Sequence, residues 1–244
     1  SEGEGLDGYI RAQMQTCLLK GDNHCYQTLA NLLSEQFSFQ AALAALERNE
    51  AHREVFARCH TVTHYLARNA YKSVRNLPQV YGECTAVCWG GCYHGVMEEY
   101  LAQTNLPISS LPQKIPSICG NEEDYTTPRL YDECVHGIGH ATMFVTGADL
   151  LQALQLCDAY EFLREREACY SGVFMENSSS STNLDHPSPY LKKDDPMYPC
   201  TILEERYLKL CYQYQSSYFG EITGWDWKAI IELCQQVPKE YRDG

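Results

Sequence analysis

The placement of cysteine constrains this chain more than any other feature. Thirteen cysteines occur in 244 residues. A chain of this length buries a sizeable core without cross-links, so stapling is not needed merely to fold. The paired C-x-x-C knuckles of zinc ribbons and metal clusters are absent. The sulfurs instead fall close to the ends of helix-sized segments, which suits disulfides and therefore an oxidising, extracytoplasmic compartment, secreted or periplasmic.

The cysteines also mark a repeat. Cys92-Tyr93-His94-Gly95-Val96 matches Cys134-Val135-His136-Gly137-Ile138, and both match Cys169-Tyr170-Ser171-Gly172-Val173. Looser echoes begin at Cys25, Cys59 and Cys211. The recurrence interval of about 33 to 42 residues is that of αα-hairpin solenoids. A preceding helix often supplies a further cysteine: Cys17, Cys84, Cys119, Cys157 and Cys200. Two helices joined by a short turn bring such positions within bridging reach, about 7 Å between Cα atoms. The expected pairs are Cys17–Cys25, Cys119–Cys134, Cys157–Cys169 and Cys200–Cys211. Around Cys59, Cys84, Cys88 and Cys92 the spacing leaves a choice, of which Cys84–Cys92 with Cys59–Cys88 is preferred. Cys234 is then odd, as expected of a chain cut from a longer array.

Alternating β-branched runs and Asn-Gly turns are missing, whereas helical periodicity runs over 6–19, 24–35, 38–47, 51–72, 77–103, 130–146, 149–158, 163–177, 203–219 and 226–236. The expectation is an all-α array of disulfide-stapled αα-hairpins forming one domain over 1–244. It resembles tetratricopeptide repeats in period and Sel1-type repeats in its stapling, without the diagnostic consensus of either. Residues 104–129 carry Pro107, Pro112, Pro116 and Pro128 and read as a connection. Residues 178–199 read as a long loop insertion. Asn177-Ser178-Ser179 is a formal glycosylation sequon.

Composition excludes some functions. A net charge of −13 with scattered lysine and arginine does not provide the positive patch that nucleic acid demands. No apolar run reaches the roughly 18 residues of a membrane span. Metallopeptidase H-E-x-x-H, covalent-haem C-x-x-C-H, G-x-S-x-G and Gly-rich phosphate motifs are all absent.

The histidines carry the functional signal. His60 and His64 are spaced i, i+4, as are His136 and His140, and His94 has Glu98 at i+4. That spacing places two side chains on one helix face, where facing helices complete a metal site. By the cysteine register His94 corresponds to His136 and Glu98 to His140. The candidate metal ligands are His60, His64, His94, His136, His140, Glu98 and, from the long loop, His186. Glu98, Glu99 and Glu176 are candidates for catalysis. Imidazole with carboxylate suits copper, iron or zinc, and the number of donors allows a dinuclear centre. The favoured reading is a metalloenzyme, a copper or iron oxidoreductase ahead of a zinc hydrolase, acting on an unknown substrate. Two alternatives stand beside it: a solenoid that binds a peptide without catalysis, and a copper storage or delivery protein using Cys84, Cys88 and Cys92. Glycines at 95, 137, 139 and 172 predict close helix packing, or room for a ligand, beside the histidines, and Met97, Met143 and Met175 read as core.

Overall fold

The computed structural model describes residues 2–179 and 188–242. These are all-helical, with no strand among them. The chain divides into two compact units, 1–105 and 106–244.

The first unit contains α1 (Glu2–Lys20), α2 (Asn23–Gln36), α3 (Phe39–Asn49), α4 (Arg53–Phe56), α5 (Cys59–Val74), α6 (Leu77–Glu83) and α7 (Gly91–Thr104). Side-chain caps set several starts. Asp22, Ser38 and Asn76 each accept a hydrogen bond from a backbone N–H in the first turn of α2, α3 and α6. Arg75 and Asn105 end α5 and α7 in the left-handed conformation. Helix α5 is central: α2, α3, α6 and α7 all pack on it. Ile10, Met14, Leu29, Leu33, Leu46, Val62, Leu66 and Met97 are buried together in this core. Each such side chain contributes about 1.5–3 kcal/mol over its exposed state.

The second unit contains α8 (Leu111–Lys114), α9 (Pro128–Val145), α10 (Leu150–Cys157), α11 (Leu163–Ser179), α12 (Glu205–Thr223) and α13 (Trp227–Cys234). Pro128 opens α9 at a position where its missing N–H costs nothing. Asp149 and Asp226 cap α10 and α13. Here α11 is central, packed by α9, α10 and α12. Its core includes Val135, Ile138, Leu150, Leu154, Val173, Phe174 and Phe219.

Six disulfides are formed: Cys17–Cys25, Cys59–Cys88, Cys84–Cys92, Cys119–Cys134, Cys157–Cys169 and Cys200–Cys211. Their Cα separations run from 5.4 to 5.9 Å. All six follow the expected pairing, including the choice in the middle of the chain. Cys234 is the free cysteine. A set of this kind points to an oxidising environment. No described helix is long and apolar enough to cross a membrane.

Two predicted helices break. The periodic run 51–72 becomes α4 and α5, parted at Ala57 and Arg58, and Arg58 starts α5 without a side-chain cap. The run 77–103 becomes α6 and α7, because Cys88, Trp89 and Gly90 are successively left-handed, with φ of 53°, 55° and 75°. Such a run cannot sit inside a helix. Glu50 Oε1 accepts the Cys88 N–H at 3.0 Å and holds the turn. The connection 104–129 is not extended: Leu111 and Ile115 are buried in short helical turns. Helix α11 runs to Ser179, and residues 188–199 are bonded within the same unit. There Ser188 Oγ donates to Asn177, and Gln215 Nε2 donates to the Pro196 and Tyr198 carbonyls. Asn177 is therefore buried within a helix, and the sequon it heads is inaccessible in the folded chain.

Candidate metal centres

In the first unit α5 carries His60 and His64, and α7 carries His94 and Glu98. The two helices approach closely because α7 presents glycine. A Cβ at Gly95 would overlap the backbone of His64, and one at Gly91 would lie 2.7 Å from the His60 carbonyl oxygen. This brings three imidazoles together. The His94 ring centroid lies 5.2 Å from that of His60 and 5.3 Å from that of His64. One ligand nitrogen from each of the three lies within 4.8 Å of the others. His94 and Glu98 are buried, at 1% and 4% exposure.

The tautomers follow from the partners. His60 Nδ1 lies 2.8 Å from the Cys88 carbonyl oxygen, which can only accept, so Nδ1 carries the proton. His64 Nδ1 lies 2.9 Å from Glu98 Oε1, a distance at which the ring N–H donates to the carboxylate. In the neutral rings both Nε2 atoms are then lone-pair donors, and they stand 3.0 Å apart. Two lone pairs that face each other at that distance repel, so the arrangement suits a cation between them, either a metal ion or a shared proton. Two imidazole nitrogens about 2.0–2.1 Å from one ion stand about 2.8–3.4 Å apart for angles between square and tetrahedral. The observed separation falls in that range.

The second unit repeats the wiring with other residues. His136 and His140 on α9 bring their Nε2 atoms to 3.1 Å. His140 Nδ1 lies 2.8 Å from Glu176 Oε2 on α11. His136 Nδ1 lies 2.7 Å from Ser171 Oγ, whose own hydroxyl donates to the Ala168 carbonyl at 2.7 Å. Ser171 thus accepts from His136, and Nδ1 again carries the proton. Burial pushes the His136 imidazole down to about 4, against a backbone hydrogen bond at Ala168 that raises it. A Cβ at Gly172 would overlap the His136 carbonyl, and one at Gly139 would overlap the Cys169 carbonyl. The predicted close packing at these glycines is present.

By these hydrogen bonds His60 and His64 correspond to His136 and His140, whereas the cysteine register aligned His94 with His136. The C-x-H-G motif lies on the second member of the α5–α7 pair and on the first member of the α9–α11 pair, so motif matching alone mixes the two. Ser171 was overlooked as a functional residue. Its signal was its place in Cys169-Tyr170-Ser171-Gly172, where the matching motifs carry histidine.

The carboxylates separate into two kinds. Glu98 and Glu176 address histidine Nδ1 atoms. Glu99 is held by Arg68 and Lys72, each at 3.4 Å, and by Gln103 Nε2 at 2.9 Å. His186 lies outside the described residues. His24 and His52 are exposed, and Met97 and Met143 are buried core. The thiolate copper site read from Cys84, Cys88 and Cys92 has no free sulfur, since all three are in disulfides. Comparison of the chain with known protein families, with curated proteins and with solved structures finds no match to any of them.

Proposed function

We propose that this chain is an extracytoplasmic transition-metal protein whose first unit binds a metal ion through His60, His64 and His94. The observation that carries the reading is the 3.0 Å approach of the His60 and His64 Nε2 atoms while both Nδ1 atoms donate elsewhere. A hydrogen bond from each Nδ1 fixes the ring and raises its basicity, as partners of metal-bound histidines commonly do. The disulfides serve as a rigid frame: Cys59–Cys88 ties the first residue of α5 to the turn whose carbonyl orients His60.

Three neutral imidazoles suit copper, iron or zinc, and three protein ligands leave a position for a substrate or oxygen species. Three histidines also make a catalytic zinc site, and redox use of copper or iron is the reading put to the test ahead of zinc hydrolysis. Glu98 then acts on His64 and not as a free general base.

The test is to load metal-depleted protein with Cu²⁺ and record its electron paramagnetic resonance spectrum. Coupling to three nitrogens, reduced in His94→Ala, together with oxygen uptake under ascorbate, is the expected result. A spectrum without nitrogen coupling would refute the site. A three-nitrogen spectrum without redox turnover would remove the oxidoreductase reading alone.

A further inference from the structure

The His136–His140 pair is not a diminished copy of the first. It reproduces the same electrical arrangement from different residues. In each pair the first histidine gives its Nδ1 proton to a neutral acceptor, the Cys88 carbonyl or the Ser171 hydroxyl. The second gives its proton to a carboxylate, Glu98 or Glu176. In each, Nε2 meets Nε2 at 3.0 or 3.1 Å, with the rings tilted by 58° and 60°. The residue that replaces His94 in the motif, Ser171, serves as an orienting acceptor. Arriving at one geometry through a carbonyl in one case and a hydroxyl in the other is what a requirement on the Nε2 lone pairs produces. Packing alone sets no such requirement. His140 is fully buried, so its side chain is not there as surface polarity.

We infer that His136 and His140 hold a second transition-metal ion, oriented by Ser171 and Glu176, so that the chain binds two ions, one on each histidine pair. This inference rests on the metal-binding reading of the first unit. The two imidazoles supply two donors, and water or further oxygen donors complete the shell. The ion is of the nitrogen-preferring class, copper, zinc, iron or cobalt, because the donors are imidazoles. Binding joins neutral ligands and releases no proton from them in the tautomers described.

The experiment uses the whole, oxidised chain stripped with chelator, dialysed against Co²⁺ as the probe and analysed for bound metal. The expected result is two ions per chain, falling to one in His136→Ala/His140→Ala and also to one in His60→Ala/His64→Ala. Should the first double variant fail to fold, Ser171→Ala/Glu176→Gln keeps both imidazoles. It should weaken one of the two ions by about 10–100-fold and leave the other unchanged. Saturation of the unaltered chain at one ion would overturn the inference and leave the first site standing. So would two ions retained in His136→Ala/His140→Ala. No bound ion in the unaltered chain would overturn both readings.

Discussion

His60 and His64 bring their Nε2 atoms to 3.0 Å of each other, although each ring has already spent its Nδ1 proton, on the Cys88 carbonyl and on Glu98. That relationship makes the two carboxylates on α7 distinguishable. Glu98→Gln leaves a hydrogen-bonding side chain of the same shape but removes the charge that raises the basicity of His64. Metal affinity should fall by about 10–100-fold, measured by competition with a chromophoric chelator. Glu99→Gln should leave affinity unchanged, because Glu99 is occupied by Arg68, Lys72 and Gln103.

Glycine at two positions sets how closely the histidine-bearing helices approach. Gly95→Ala places a methyl group against the His64 backbone, and Gly172→Ala places one against the His136 carbonyl. Neither obstacle is a flexible side chain that can swing aside. Each substitution should destabilise the fold by about 1–3 kcal/mol in denaturant unfolding, the usual cost of overpacking. Metal affinity should fall with it.

The disulfide map predicts a thiol count. In unreduced, denatured protein a thiol reagent should find one sulfhydryl per chain, from Cys234, and none in Cys234→Ser. Each bridge closes a short loop and contributes about 2–4 kcal/mol. Reduction should therefore lower the unfolding temperature steeply and release bound metal. Three or more free thiols in the unreduced chain would contradict the map.

The second unit should be sensitive to alkali. Burial raises the hydroxyl of Tyr160 well above the usual phenol range, and burial with hydrogen bonds to Asp158 does the same for Tyr170 and Tyr207. In the unfolded chain these groups ionise near about 10. A raised folded value means that their contribution is fully present below that pH and is lost as pH rises through and beyond it. Ultraviolet titration should therefore show a fraction of tyrosines ionising only as the fold is lost. A single smooth titration of all tyrosines near their ordinary value, with the fold intact, would contradict this.

Much of the architecture was legible because cysteine spacing and helical period reinforce each other. Cys157–Cys169 brackets a short connection between two recognisable segments, so its pairing could be read directly. The breaks at Arg58 and at Cys88–Gly90 were not legible. Periodicity continues across both, Arg58 is not a capping type, and the Gly90-Gly91 turn signal comes only after Cys88 and Trp89, which seldom adopt the left-handed conformation. The histidine pairs were visible from i, i+4 spacing alone. Their tautomers were not, because the deciding acceptors are a backbone carbonyl at Cys88 and a hydroxyl at Ser171, brought in by tertiary packing. The same packing pairs Glu98 and Glu176 with histidine Nδ1 atoms.

The most direct test of the account is elemental analysis of the oxidised protein purified without added metal, beside His60→Ala/His64→Ala prepared identically. Copper, iron or zinc is expected at no less than one ion per chain, reduced in the variant while its six disulfides remain intact. Metal-free protein that also takes up none of these ions on titration would contradict it. The close histidine pairs would then be proton-sharing pairs.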